Sequence, residues 1–366
     1  MRKIRRIDRI ATILTLFAIL LVACNNTTVN TNPGGHASSA LATTSITTVA
    51  LVTDVGEQNS DGFNQLAHAG YLRAQQQYGF PSLVLTATTP NDYVADLNTA
   101  AEKADMVIVV GFLMQTPLDK VARAFPSKKF AMVDGCAVPD PNTGDCENLS
   151  NVVSLLFNEQ EAGCVVGALA AQMEIDGQTK APKLLGKNTI GAVGSQPIPS
   201  VDQYITGYKY CAKTVDPKIN VVVGYTNNFT DPATCQALAE NQITERQADI
   251  LFQVANTCGL GVLNAATAHH VYSIGVDTDQ SKDASGQTRL SVITSALKRV
   301  DTAVYSIITD TEDNQYNAFV QKPLIFDVAH DGISFASPNP DVPQDAINKA
   351  KEYEYELQTG VLTLPT

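Results

Sequence analysis

Three segments of this 366-residue chain place aromatic, amide, carboxylate and ammonium groups where strands give way to helices. The first, Thr53 to Gln65, carries a flexible glycine and several acids, and brings Phe63 and Asn64 to a helix start. An aromatic face beside an amide suits a planar heterocycle, because the ring stacks while the amide reads edge atoms. Such base–aromatic stacking is worth about 1–3 kcal/mol in nucleic-acid complexes. The second segment, Ile274 to Gln280, ends a strand with Asp277 and Asp279. A carboxylate accepts two hydrogen bonds from vicinal hydroxyls, the chemistry a ribose demands, and Asp277 is the natural candidate. The third, Val292 to Asp301, ends another strand with Lys298 at the opening of a helix. Each has an ordinary reading too: Phe63 fits the buried face of its own helix, and an aspartate at a strand end is commonly just solvated.

The elements that must position these groups alternate. Ile46 to Thr53 reads as a strand, and Phe63, Leu66, Ala67, Gly70, Ala74 and Tyr78 recur at helical steps until Gly79 and Pro81 stop them. Leu83 to Ala87 is the next strand and Asp92 to Ala104 the next helix. Met106 to Val110 is an uninterrupted apolar run ending at Gly111, the pattern of a strand buried on both faces. A helix ends near Phe125, and Phe130 to Val133 is a fourth strand. Further strands fall near Val152, Ile190, Val221, Ile250 and Val271, with helices near Gln160–Met173, Val201–Thr214, Pro232–Gln247 and Gly261–His269. Repeated βα units imply an α/β fold of doubly wound parallel sheets, with ligands at the carboxyl ends of the strands. Two such sheets facing one another make a cleft.

Ahead of this region, Arg2, Lys3, Arg5, Arg6 and Arg9 precede the apolar run Ile10 to Val22. That run has signal-peptide length and falls short of the roughly 20 residues of a membrane span. Leu21 to Cys24 resembles a lipobox, which makes residues 1–23 a lipoprotein signal peptide and Cys24 the lipidated first residue. Residues 24–45 are rich in Asn, Thr, Ser, Gly and Ala and read as a flexible tether. Loss of the leader removes five basic residues and one acid, moving the formal charge from −12 to −16. That balance argues against a nucleic-acid partner. Six cysteines remain for an exported chain. Cys136 and Cys146 flank a turn-rich loop and form the candidate disulfide, while the pairing of Cys164, Cys211, Cys235 and Cys258 stays open. No C-x-x-C pair suggests a metal, no G-x-S-x-G elbow suggests a nucleophile, and Gly191 to Gly194 is only half a dinucleotide fingerprint. No cofactor is expected.

Taken together, the segments resemble the basic membrane protein family of lipoproteins, which includes purine nucleoside receptors of bacterial ABC importers. Thr53, Asp54, Gly56, Phe63 and Asn64 match its first loop. Gly275, Val276, Asp277, Asp279 and Gln280 match a strand end, and Thr294, Ser295, Lys298 and Asp301 match a third motif. Gly111 to Met114, Phe130 to Asp134, Asn228 to Pro232 and the closing Gly360 to Pro365 look like further family segments. The chain departs from the family at Ser60, where an acid is usual, at Gly62, where a serine is usual, and in the turn Ala255 to Gly261, which is less glycine-rich.

The resemblance implies two Rossmann-like lobes joined by a multi-strand hinge, the type I periplasmic binding architecture. Residues 46–157 plus about 279–318 would form the first lobe, and 158–278 plus about 319–366 the second. It implies that Phe63 and Phe229 sandwich a purine, with Asn64 and Asp134 near its edge and Asp54 in the same site. Asp277 would hold ribose hydroxyls with Lys298 nearby, and Asn256 would add a hydrogen bond or narrow the pocket. The implied partners are a purine nucleoside, an ABC permease and a membrane reached through the lipid anchor, with the receptor a monomer on the extracytoplasmic face. The alternatives are a receptor of the same fold for a sugar or signal molecule, and a nucleoside hydrolase.

Overall fold

A computed structural model of the chain describes residues 48–55, 62–283, 285–320 and 322–365. The leader, Cys24, the tether and loop positions Gly56 and Ser60 lie outside the described residues. Among the described residues no helix is long and apolar enough to cross a membrane.

The first sheet takes β1 (Val49–Thr53), β2 (Ser82–Thr86), β3 (Met106–Val110), β4 (Lys129–Val133), β5 (Val152–Phe157) and β11 (Leu324–Phe326) in the order β11-β5-β4-β3-β1-β2. All of its pairings are parallel. The second takes β6 (Thr189–Gly194), β7 (Asn220–Tyr225), β8 (Ile250–Val254), β9 (Tyr272–Asp277), β10 (Val292–Lys298) and β12 (Ile333–Phe335) in the order β12-β10-β9-β8-β6-β7, with only the β10–β12 pairing antiparallel. Central strands β1, β3, β6 and β8 are buried along their whole length, whereas edge strands β2 and β7 are partly exposed. This is why β3 reads as a continuous apolar run.

Helices α1 (Phe63–Tyr78), α2 (Tyr93–Lys103) and α3 (Gln115–Ala124) connect strands of the first sheet, and α5 (Pro199–Val215), α6 (Pro232–Thr244) and α7 (Leu260–Ala268) those of the second. Helix α4 (Glu159–Asp176) carries the chain from β5 into the second lobe, where it packs on α5 and on α9 (Gln344–Gln358). Its approach to α5 is close because both faces carry glycine: a Cβ at Gly163 would lie 1.9 Å from the Tyr204 carbonyl oxygen, and one at Gly207 1.9 Å from that of Gln160. A disulfide between Cys164 and Cys211 fastens the same pair. Cys235 pairs with Cys258, and Cys136 with Cys146 across the loop they flank.

The return path differs from the boundaries expected near 279 and 319. Strand β10 hydrogen-bonds to β9 and so belongs to the second sheet. Helix α8 (Val300–Glu312) then packs on α1, and β11 extends the first sheet beside β5. The segment returned to the first lobe is therefore 300–326. Backbone bonds knit the crossings, from Asn158 N–H to Phe326 O at 3.0 Å and from Arg299 N–H to Gly332 O at 3.0 Å.

Candidate binding site between the lobes

In each sheet the strand order reverses between neighbours whose connections leave on opposite sides, at β1/β3 in the first and β6/β8 in the second. Such switch points open a crevice outside the carboxyl ends of the strands. Asp54 and Gly111 follow β1 and β3; Ser195, Ala255 and Asn256 follow β6 and β8. All five line one cavity.

The sheets fix the first residue of several of these loops, because its N–H continues the ladder. Asp54 N–H donates to Val110 O, Asp134 N–H to Leu155 O and Ser195 N–H to Val254 O, each at 3.0 Å. The chain then turns sharply. Asp134, Asn256 and Asp277 adopt left-handed backbone conformations, with φ of 63°, 52° and 64°. Aspartate and asparagine tolerate that region better than other side chains. At Gly111, φ is 110° and a Cβ would sit 2.0 Å from the Asp54 carboxylate, so glycine is required there.

Of the residues singled out from the sequence, Asp54, Phe63, Asp134, Phe229, Asn256, Asp277 and Lys298 line this cavity. Asp54, Phe63 and Asp134 come from the first lobe and the others from the second. Asn64 stands behind the wall: its amide Nδ2 reaches the Asp54 carboxylate at 3.4 Å, and its own Oδ1 is buried without a partner among the described residues. Tyr204, Ser195 and Glu159 were missed. Tyr204 sits in mid-α5, a position that carries no sequence signal, and its hydroxyl donates to Asp277 Oδ1 at 3.0 Å. Ser195 and Glu159 each follow a strand, so the rule that located Asp277 could have found them.

Lys298 is the electrostatic centre. It is 1% exposed, and its ammonium donates to Asp134 Oδ2 at 2.5 Å and Glu159 Oε1 at 2.7 Å. The rings of Phe157 and Phe63 lie 4.7 and 5.1 Å from it. Because Lys298 ends β10 and Asp134 follows β4, this ion pair spans the two lobes. Burial alone would lower the lysine, but Asp134, Glu159 and Asp277 together hold it above its ordinary value. The acids fare differently, since one ammonium cannot compensate them all. Burial raises Asp134 and Glu159 against the pull of Lys298. Asp277 is pushed up to about 6 by burial, with Lys298 opposing. Asp54 is pushed up to about 7 by burial, with the Asn64 hydrogen bond opposing and Asp134 adding to the rise. Asp134 Oδ1 and Ser195 Oγ, both in the cavity wall, are buried without hydrogen-bond partners among the described residues. Unsatisfied groups of this kind are uncommon in folded proteins, and these two border the cavity. Among the described residues no cluster of three or more His, Cys, Asp or Glu could hold a metal ion.

The family model of PnrA-like ABC transporter substrate-binding proteins matches residues 47–360. An uncharacterized lipoprotein of Pyrococcus furiosus is 32% identical over 276 residues, covering 73% of this chain and 65% of the relative. The match thus spans slightly less than two thirds of that relative's length. The ABC transporter nucleoside-binding protein BmpA of Lactococcus lactis is 26% identical over 336 residues, covering 87% of this chain and 88% of its own. Among solved structures, an ABC transporter solute-binding protein of Aeropyrum pernix superposes with a TM-score of 0.74 at 24% identity, covering 87% of this chain and 93% of that one. The two-lobed architecture is that of the type I periplasmic binding proteins. The chain belongs to the PnrA-like family of ABC transporter substrate-binding proteins.

Proposed function

We propose that this protein captures a purine nucleoside between its lobes and delivers it to an ABC permease, held at the extracytoplasmic face of a membrane through lipid on Cys24. The observation that carries the reading is one cavity lined by two phenyl rings, Phe63 and Phe229, and by strand-end carboxylates from both lobes. A nucleoside has two chemically distinct halves. The rings match the flat base, and Asp277, with Tyr204 engaging one of its oxygens, offers acceptors to a vicinal diol. Asp134 Oδ1 and Ser195 Oγ supply further polar partners. Groups from both lobes give a closed state greater affinity than an open one, and that difference is what shifts the population on binding. The relative from Lactococcus lactis described as nucleoside-binding points the same way, and the Pyrococcus lipoprotein supports the anchor.

The test is incubation of the purified protein with inosine or adenosine. An unchanged nucleoside and a raised melting temperature are expected; release of free base would make the protein a hydrolase instead. Asp277→Ala should lose roughly 10- to 150-fold in nucleoside affinity, the worth of hydrogen bonds to a charged group, and little for free bases. Equal losses measured by calorimetry would remove Asp277 from the ribose role. Phe63→Ala should weaken every purine ligand, and unchanged affinity would leave Phe63 a core residue only.

A further inference from the structure

Phe229 and Asn256 approach the cavity on separate loops, and a covalent link joins those loops a few residues away. Cys258 stands two positions after Asn256 in the turn Asn256–Gly259, and Cys235 lies in the first turn of α6, six positions after Phe229. The two cysteines are fully buried and disulfide-bonded. The backbone N–H of Cys258 also donates to the Phe229 carbonyl at 2.9 Å. Other hydrogen bonds within the Phe229 loop are local: Asn228 Oδ1 accepts from Thr230 N–H and Asp231 N–H at 2.9 Å each, and Asp231 caps α6 through Ala233 N–H. Thr226, at the base of the loop, ties it to the sheet: its N–H donates to Gly194 O at 3.0 Å and its Oγ1 donates to Asn228 O at 3.2 Å. Further along, a Cβ at Gly261 would fall 1.9 Å from the Pro232 carbonyl oxygen, so the helices that follow the two loops are already in backbone contact.

We propose that the Cys235–Cys258 disulfide is a positioning device for the ligand: it clamps the Phe229 and Asn256 loops together so that both side chains are held in the cavity wall before ligand arrives. This rests on the reading that the cavity binds a nucleoside. Preorganisation acts by removing the ordering cost from the binding step. For two side chains that advantage corresponds to roughly a 5- to 150-fold gain in affinity. The Cys164–Cys211 disulfide joins α4 to α5, away from the Phe229 and Asn256 loops, and serves as the control for loss of a disulfide in the exchange measurement.

The experiment compares the unmodified protein, Cys235→Ala/Cys258→Ala and Cys164→Ala/Cys211→Ala by hydrogen exchange without ligand and by calorimetry with inosine. Exchange of the residue-258 amide should accelerate at least tenfold in the first variant and not in the second, and inosine affinity should fall at least fivefold in the first variant. Unchanged protection of that amide, or equal acceleration in both variants, would overturn the clamp. Faster exchange with unchanged affinity would also overturn it as a device for the ligand. Should the unmodified protein bind no nucleoside, the proposed function fails, while the exchange result still decides whether the loops are clamped. If the alanine pair does not fold, Cys235→Val/Cys258→Ala, which restores buried volume, is measured in its place.

Discussion

Replacing Lys298 by methionine keeps the length and apolar stem of the side chain and removes only its charge. Asp134 and Glu159 would then remain buried, at 6% and 4% side-chain exposure, with no cation between them. Breaking a buried ion pair from one side costs about 3–5 kcal/mol, because the orphaned charge has neither water nor partner. Carboxylates have an escape that lysine lacks, since they can bind a proton. Burial already raises both, and without Lys298 they rise further. A group whose native pKa exceeds its unfolded value contributes stability that is complete below the unfolded value, near pH 4, and is lost as pH rises through the native value. Each unit over which one such group binds a proton only in the native state is worth about 1.4 kcal/mol. The loss on Lys298→Met should therefore approach about 3–5 kcal/mol at pH 8 and be smaller by about 2 kcal/mol or more at pH 5. Urea denaturation of the ligand-free protein at pH 5, 6, 7 and 8 measures this. Adding Glu159→Gln to the variant should recover part of the pH 8 loss, since one buried acid is gone. The same loss at pH 5 and pH 8 would refute the reasoning, because the acids would then not be the groups left uncompensated.

Asp277, pushed up to about 6 by burial, should make nucleoside binding acid-sensitive. Ribose hydroxyls favour the ionised form, so affinity should fall about tenfold between pH 7 and pH 5 for a nucleoside and much less for its free base; identical profiles would count against it. Asp54→Asn removes an acid pushed up to about 7 and with it the stability lost between about pH 4 and 7. That variant should exceed the unmodified protein by about 1–3 kcal/mol at pH 8 and match it near pH 4 by urea denaturation; a deficit at pH 8 would contradict the assignment. Gly207→Ala drives a methyl group against the Gln160 carbonyl and should destabilise by about 1–3 kcal/mol or more, and an unaltered urea midpoint would show that α4 and α5 can separate freely. Asp231→Ala removes the cap of α6 and should cost about 0.5–2 kcal/mol, and no measurable change would mean that water replaces it.

Much of the architecture was legible because burial leaves a periodic trace. Met106 to Val110 is apolar throughout since β3 is covered on both faces, and the step from such a run to a helical repeat marks each βα unit. The lobe boundaries were not legible in the same way. Val292 to Lys298 is an apolar strand whichever sheet it joins, and its pairing with β9 is a long-range choice with no local mark. Lys298 illustrates the same limit in the site. As a strand-end lysine it reads as a ligand donor, yet its ammonium is engaged by Asp134 from the other lobe and by Glu159 from a hinge crossing. Asn64 likewise reads as a wall residue and stands one layer back, beside Asp54.

Residue types and their order alone determined the alternating α/β plan and the strand ends at which chemistry would gather, because each of these is a local property of composition or period. Only the tertiary structure decided that Phe63, Phe229 and Asp277, drawn from a stretch of more than two hundred positions of chain, line one cavity, and that Tyr204 and Glu159 join the network there. It also decided the partners of Cys164, Cys211, Cys235 and Cys258. The physical reason is the same in each case: which groups share a low-dielectric crevice depends on how two sheets face one another, and no local stretch of sequence encodes that distance.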